Sequence, residues 1–197
     1  MKRKWVIVCV ILLIFLIGCA MIGPIMSDVE QPKYDVISSS GNIELRQYAP
    51  MVIAVKVAGA RKAAINAGFR MLADFIFGNN TVQQSNEKIP MTAPVQQQEE
   101  NGAWKVNFVM PAEYRIDDLP KPNNEQVKLK EIPAKKFVVV TFSGMNSEGN
   151  LQKHEAQLNA YIKENNLPTL GSLKYAFYNP PWTLPFLRRN EIMQEIE

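Results

Sequence analysis

The residue types that most often carry catalysis or bind metals are scarce in this chain. Histidine occurs once, at His154, and the two cysteines, Cys9 and Cys19, both lie in the first twenty residues. A zinc site needs several histidine or thiolate ligands, and a nucleophilic triad needs a histidine held beside its nucleophile. The sequence contains neither a glycine-rich phosphate loop nor a nucleophile-elbow motif. We therefore expect a binding protein rather than an enzyme.

A candidate binding surface lies on the first of two predicted helices. Ala64, Gly68, Met71 and Phe75 form one stripe at helical spacing. Two small and two soft or flat side chains make a shelf on which a flat apolar ligand could lie. Arg61 flanks the stripe, and a guanidinium there can pair with ligand carboxylates. These five residues are the predicted cofactor-binding set.

Core packing is the alternative role for this stripe. Ile65, Phe69, Leu72 and Ile76 form a second stripe, which is typical of a core-facing helix. An amphipathic helix can bury an arc wide enough to include both stripes, so the pattern leaves the two roles open. His154 carries a similar ambiguity on the second predicted helix. It is either an iron ligand or a half-buried packing residue.

The N-terminus has the features of an export signal. Residues 2–4 are basic, residues 5–17 are continuously apolar, and small residues follow. Residues 16–19 resemble the lipobox of bacterial lipoproteins, which implies that Cys19 carries the lipid. An uncleaved membrane helix is the alternative. Because the basic flank favours the cytoplasmic side, both alternatives place the domain in the bacterial envelope, outside the inner membrane. Residues 1–19 are thus a signal or anchor, residues 20–33 a linker, and residues 34–197 the domain.

The charge balance argues against nucleic-acid binding. The net charge is +3, but residues 2–4 supply three of the 22 basic residues. The remaining chain balances 19 basic against 19 acidic residues. Nucleic-acid binders need a surplus of basic residues on the binding face.

The domain contains the same pattern twice. Residues 43–48 alternate apolar and polar, a proline interrupts, and a β-branched strand follows; residues 127–142 repeat this order. Each copy continues with a helix, near residues 60–77 and 147–165. Two further strands follow each helix, near residues 88–96 and 104–109 in the first copy and residues 173–178 and 190–196 in the second. The prediction is a mainly antiparallel α+β fold of two ββαββ halves, with both helices covering a curved sheet.

Three segments resemble the SOUL/haem-binding protein family. They are residues 88–95, residues 179–191, and the strand at 43–48 followed by Pro50. The resemblance implies a distorted β-barrel of two pseudo-symmetric halves flanked by two helices. It also implies a non-covalently bound haem or other porphyrin near the first helix. We therefore expect a membrane-tethered tetrapyrrole carrier, buffer or sensor. The alternatives are a module resembling effector-binding domains, which takes other amphipathic molecules, and an envelope interaction protein.

Overall fold

The computed structural model describes residues 28–58, 61–82 and 85–197, with the backbone alone for residues 56–58 and 61–64. Strands and two helices alternate along these residues in the order that the repeat predicts. The helices are α1 (Arg61–Ile76) and α2 (Glu148–Glu164). The described strands are β1 (Tyr34–Ser40), β2 (Ile43–Tyr48), β3 (Met51–Ala58), β4 (Asn80–Thr81), β5 (Val95–Glu100), β6 (Ala103–Val109), β7 (Lys121–Pro122), β8 (Val127–Ile132), β9 (Lys135–Phe142), β10 (Thr169–Phe177) and β11 (Asn190–Ile196).

Nine of these strands form one curled antiparallel sheet, in the order β1-β2-β9-β11-β10-β5-β6-β3-β8. Without β1, this order is symmetric about the β10–β5 pair: β5 corresponds to β10, β6 to β11, β3 to β9 and β2 to β8. The first strand of each half is exchanged, because β2 pairs with β9 and β8 pairs with β3. The predicted α+β fold of two matching ββαββ halves is confirmed.

Both helices pack on the same face of the sheet. Under α1, Leu72, Phe75 and Ile76 bury against the first half of the sheet. Under α2, Leu151 and Leu158 bury against the second half. Successive residues of a strand point to opposite sides, so in β9 Val138 and Val140 lie on the helix face and Phe137 and Val139 on the opposite face. Burial of these stripes removes several large apolar side chains from water. It stabilises the fold by about 25 cal/mol for each Å² of apolar surface that is buried.

A third cluster lies on the opposite face, on which neither α1 nor α2 packs. Its buried members are Tyr48, Ala93, Phe137, Val139, Ala176, Tyr178 and Met193. We call residues 28–34 the N-terminal segment. It partly covers this face, because Val29 and Tyr34 pack against the cluster. This face also carries the buried polar residues Arg46 and Glu191. It is therefore the part of the sheet where polar groups and apolar surface occur together.

Some predicted boundaries were wrong. Residues 88–96 were expected to form a strand, but β5 begins only at Val95. Pro90 and Pro94 explain the difference, since proline has no N–H to donate to a neighbouring strand. Strand β1 was not predicted either; its last six residues are exposed. No hydrophobic alternation marks such a strand.

Candidate ligand-binding site

The described part of the predicted helical shelf lies largely in the core. Phe75 is 1% exposed and Gly68 is buried, whereas Met71 is half-buried. Because Phe75 is enclosed by the core cluster under α1, it has no free surface to offer a ligand. Phe69, which the pattern places on the core stripe, is 39% exposed and meets Phe108 edge-on at 5.4 Å between ring centroids. The buried arc of α1 therefore runs between the two predicted stripes.

Other predicted site residues fall outside what the structure describes. The side chains of Arg61 and Ala64 are outside the described residues, and so is Cys19. Among the described residues of the predicted shelf, Met71 is partly exposed, whereas Gly68 and Phe75 are buried. Its contact with a ligand stays a prediction.

His154 is engaged in packing. Its ring stacks on Phe142 at 4.0 Å between centroids and 9° between planes. Its Nδ1 atom lies 2.7 Å from the carbonyl oxygen of Asn150, one helical turn earlier. A buried, stacked histidine held by its own helix is poorly placed to reach an iron atom. The described residues contain no group of three or more metal-binding side chains.

A cleft of about 550 Å³ lies where the β3–β8 edge of the sheet meets the N-terminal segment. This volume is within the range of small-molecule binding sites. Its walls are mostly apolar side chains with a few charged groups at the rim. They comprise Glu30, Gln31, Pro32, Lys33, Ala49, Pro50, Met51, Val52, Thr92, Val109, Met110, Pro111, Ala112, Tyr114, Arg115, Glu131, Ile132 and Pro133.

Hydrogen bonds from Glu30 fix one wall of the cleft. The Glu30 backbone oxygen accepts from the N–H of Ala93 at 2.9 Å. Its carboxylate accepts from the N–H of Ala112 at 2.6 Å. The N-terminal segment is thereby bound to two loops that are distant in sequence. The cleft is preformed, which lowers the entropy that a ligand must overcome on binding.

The charged groups of the cleft differ in how far they are engaged. Within the described residues, Lys33 and Arg115 have no carboxylate within ion-pairing distance. Both side chains are exposed at the rim. Of the two acidic residues there, Glu30 accepts a hydrogen bond from a backbone N–H, whereas Glu131 is exposed and has no described cation within ion-pairing distance. The two cations therefore outnumber the one unengaged carboxylate among the described lining residues. The free cations suit a ligand that carries carboxylates.

Tyr114 is the aromatic residue of the cleft. Its hydroxyl donates to a Glu87 carboxylate oxygen at 3.1 Å. Burial and this hydrogen bond raise the pKa of Tyr114 above its ordinary value. The phenol therefore stays protonated near neutral pH and presents a flat, uncharged ring to the cleft.

A buried carboxylate at the opposite face is neutralised by arginines. Glu191 is 0% exposed, and its Oε1 lies 3.0 Å from Arg46 Nη1 and 2.7 Å from Arg189 Nη2. Its Oε2 accepts from the Tyr178 hydroxyl at 2.7 Å. Burial opposes the charge on Arg46, but attraction to Glu191, together with its interactions with Tyr48 and Glu44, raises the pKa of Arg46 overall. Glu191 is thus unavailable to a cationic ligand.

Lys174 lies on the same face, in a small hollow beside this network. Its ammonium group is 4.8 Å from the ring centroid of Phe137. Burial lowers the pKa of Lys174 to about 8, against the opposing attraction of Glu195. A cationic ligand would need acidic surface on this face, which is instead positive or neutral around Lys174 at pH 7.

The sequence pattern of the SOUL heme-binding protein family matches residues 29–195, which is most of the chain. The chain belongs to the SOUL heme-binding protein family. Membership suggests that it binds haem or another tetrapyrrole, a small-molecule ligand. No curated protein matches the sequence individually. Among the described residues, no helix is both long and apolar enough to cross a bilayer.

Solved structures share this fold at low sequence identity. The C-terminal domain of EcmrR is 13% identical, with 83% of this chain and 98% of that chain covered and a TM-score of 0.60. A hydrolase from Listeria innocua is 10% identical, with 82% and 94% covered and a TM-score of 0.54. An uncharacterized conserved protein from the same organism is 11% identical, with 81% and 94% covered and a TM-score of 0.55. Identities this low show a common fold only.

The cleft was not predicted from the sequence, although the sequence contains a signal for it. Pro50 and Pro133 interrupt the repeated strand pattern at corresponding positions of the two halves. Both prolines line the cleft, because the β2–β3 and β8–β9 corners come together there. Register shows this proximity: Tyr48 pairs with Lys135, and Met51 pairs with Ile132. A repeated strand–proline–strand corner was therefore the available signal.

Proposed function

We propose that this protein binds a tetrapyrrole in the cleft at the β3–β8 edge and holds it at the bacterial envelope as a carrier, buffer or sensor. The observation that carries the proposal is a preformed, mostly apolar cleft, with two cations that no described carboxylate pairs, in a member of a haem-binding family. The apolar walls and Tyr114 would contact the flat ring. Arg115 and Lys33 would bind its propionates.

Iron is not the main source of affinity in this proposal. His154, the one histidine, is stacked and bonded within its own helix. The side chains of Met51 and Met110 border the cleft and are weak ligands at most. A bound haem would supply its own redox chemistry, whereas this chain would supply the apolar enclosure and the carboxylate partners. Metal-free protoporphyrin should then bind nearly as tightly as haemin.

Titration of the full chain with haemin and with protoporphyrin, followed by the Soret band, tests the proposal. Arg115→Gln and Lys33→Gln each remove one cation, and each should weaken the binding of both ligands by about tenfold. Lys153→Gln, an exposed cation on α2, is the matched control. Unchanged affinity in the double variant would exclude the cleft. If Met71→Ala weakened binding and the cleft variants did not, the ligand would instead bind at α1.

A module for hydrophobic cations is the second candidate, and the charges disfavour it. Such a site needs an uncompensated acidic or aromatic surface. Glu191 is buried between two guanidinium groups, and Lys174 occupies the adjoining hollow. A competition experiment with a porphyrin and a lipophilic cation compares the two candidates. If the cation displaced the porphyrin from the full chain, cation binding would become the favoured function.

The tether is the second part of the proposal. The basic start, the apolar run at residues 5–17 and the lipobox-like residues before Cys19 support an anchored protein outside the inner membrane. Mass spectrometry of the mature N-terminus should find a diacylglycerol-modified Cys19. An intact Met1 would favour the uncleaved anchor. We assign the chain no catalytic step, since His154 is occupied in packing.

A further inference from the structure

An exposed apolar loop joins β10 to β11. We call residues 180–188 the apolar loop. Phe186 is 71% exposed and Trp182 60%, while Leu184 and Leu187 are 37% and 38% exposed. Met145, from the β9–α2 turn beside the loop, is 50% exposed. Exposed apolar side chains that occur singly are normal, but a contiguous group of this size marks an interaction surface.

The apolar loop is held by its own hydrogen bonds. Arg188 Nε donates to the Thr183 carbonyl at 2.7 Å, and Arg188 Nη2 donates to the Pro181 carbonyl at 2.5 Å. The Pro185 carbonyl accepts from the N–H of Gly144 at 2.8 Å, which joins the loop to the β9–α2 turn. These backbone groups are satisfied internally, while the large apolar side chains stay exposed. Each carbonyl bonded in this way lowers the desolvation cost of moving the loop into an apolar phase.

The first described residues of the chain contact the base of this loop at Arg189. Arg189 Nη1 donates to the Gln31 side chain at 3.0 Å, and Arg189 Nη2 donates to the Tyr34 hydroxyl at 3.3 Å. The predicted anchor at residues 5–17 is separated from Asp28 by ten residues. Ten residues span roughly 35 Å when fully extended. An anchor at residues 5–17 would therefore keep Asp28 within roughly 35 Å of the bilayer, a distance that allows the apolar loop to reach its surface.

We propose that the apolar loop inserts into the interfacial region of the membrane that anchors the chain. Tryptophan and phenylalanine side chains favour this region, where an apolar ring meets polar headgroups. This inference rests on the proposed tether. It adds a second attachment point that fixes the orientation of the domain. Gln31 also lines the cleft, so the loop base and the cleft share one residue. A ligand that partitions into lipid would then meet the cleft near the bilayer surface.

The three tryptophans of the full chain provide the test. Trp5 lies in the predicted anchor, Trp182 in the apolar loop, and Trp104 on β6, packed against the α2-side core cluster. The unprocessed chain, which retains residues 1–18 and therefore Trp5, is labelled with 5-fluorotryptophan and placed in nanodiscs of phosphatidylcholine and phosphatidylglycerol. Tryptophan-to-phenylalanine variants assign the three fluorine signals. Lipids with a nitroxide near the headgroup then broaden the signals of tryptophans that reach the interface.

Insertion predicts that Trp182 loses most of its signal intensity and that Trp104 keeps most of its own. Phe186→Ser should restore the Trp182 signal, whereas Phe77→Ser should not. Phe77 is a matched control, because it is 56% exposed and lies just past the end of α1, outside the apolar loop. A broadened Trp5 with an unaffected Trp182 would overturn the insertion and leave the tether standing. If neither the Trp5 signal nor the Trp182 signal is broadened, both the insertion and the tether are overturned.

Two other occupants of the loop give different signals. If a second copy covers it, the Trp182 signal will shift with protein concentration and without nitroxide lipid. If the loop closes over the ligand, the signal will shift on addition of protoporphyrin. Either response, without broadening by nitroxide lipid, overturns membrane insertion.

Discussion

At the scale of single residues, Glu191 is the charge on which the opposite face of the sheet depends. Its carboxylate is fully buried and meets Arg46 and Arg189. Taking ions out of water is costly, and only complete pairing offsets that cost. The network also holds the N-terminal segment, because Arg189 bonds to Gln31. Glu191 thus positions a wall of the cleft without lining it.

Glu191→Gln should lower the free energy of unfolding by about 3 to 5 kcal/mol, because it leaves Arg189 without a described counter-charge and leaves the buried Arg46 with the partly exposed Glu44 alone. Urea unfolding at pH 7 measures this change. Glu44→Gln is the control. Glu44 pairs with the same Arg46 at 2.7 Å, but its side chain is 30% exposed. That substitution should cost less than about 1 kcal/mol. Equal destabilisation in the two variants would contradict the role given to Glu191.

Lys174 makes stability depend on pH in the alkaline range. Its pKa is about 8 in the folded chain, and a lysine in an unfolded chain titrates near 10.4. Between these values the unfolded state binds more protons than the native state, so the contribution of Lys174 to stability rises with pH. Below pH 8 both states are protonated, and the folded chain bears the full cost of a buried charge.

Lys174→Met should therefore be more stable than the wild type at pH 7, by on the order of 2 kcal/mol. The difference should shrink as the pH rises from 8 to 10. Urea unfolding of both proteins at pH 7, 9 and 10 measures it, since the other titrating groups are common to the two chains. Lys153→Met, at an exposed position of α2, should show no such trend. A constant difference across this range would mean that Lys174 titrates normally.

At the scale of elements, the β5–β6 turn shows local sequence deciding backbone geometry. Asn101 and Gly102 have φ angles of 54° and 75°, as the Asn-Gly pair predicts for a two-residue hairpin. Residues other than glycine and asparagine are strained in this region. An added Cβ at Gly102 would meet no atom within 4 Å. The conformation alone therefore determines the effect of a substitution there.

Gly102→Ala should destabilise the protein by about 1 kcal/mol through that backbone strain. Gly149→Ala should stabilise it by about 0.5 to 1 kcal/mol, because Gly149 lies within α2 and costs the helix conformational entropy. Neither new Cβ would meet an atom within 4 Å. Thermal unfolding of the two variants should shift in opposite directions. Shifts of the same sign would show that side-chain contacts, rather than backbone conformation, dominate.

The elements could be predicted from the sequence more completely than the site. Strand alternation, prolines and helical spacing are local, so β2, β9 and both helices appear within about two residues of their bounds. The stripe of α1 that faces the sheet depends on tertiary packing. The helical spacing predicted that Phe69 packs in the core and that Phe75 contacts the ligand. In the structure Phe69 is 39% exposed and Phe75 is 1% exposed. The repeated proline corners marked one part of the cleft, but its wall at Glu30 could not be read from local pattern, since Glu30 and Ala112 meet across 82 residues.

At the scale of the whole molecule, the exchange of β2 and β8 interlocks the two halves. Each half lends its first strand to the sheet of the other, and the β10–β5 pair joins them at the centre. Contacts between the halves therefore include backbone ladders as well as shared side-chain clusters, such as the one in which Tyr48 packs with Phe137. Domains connected in this way cannot open along a boundary without breaking strand pairs. We expect one cooperative unfolding unit.

Phe75→Ala provides the test of this interlock. Phe75 is buried under α1 in the first half, and its truncation should cost about 3 to 5 kcal/mol. If the halves unfold together, native-state hydrogen exchange should show equal decreases of protection in β6 of the first half and in β11 of the second. Phe77→Ala, at an exposed position, should change neither strand. Decreased protection in β6 alone would mean that the first half opens by itself, and the cleft, whose described walls come from both halves, would open with it.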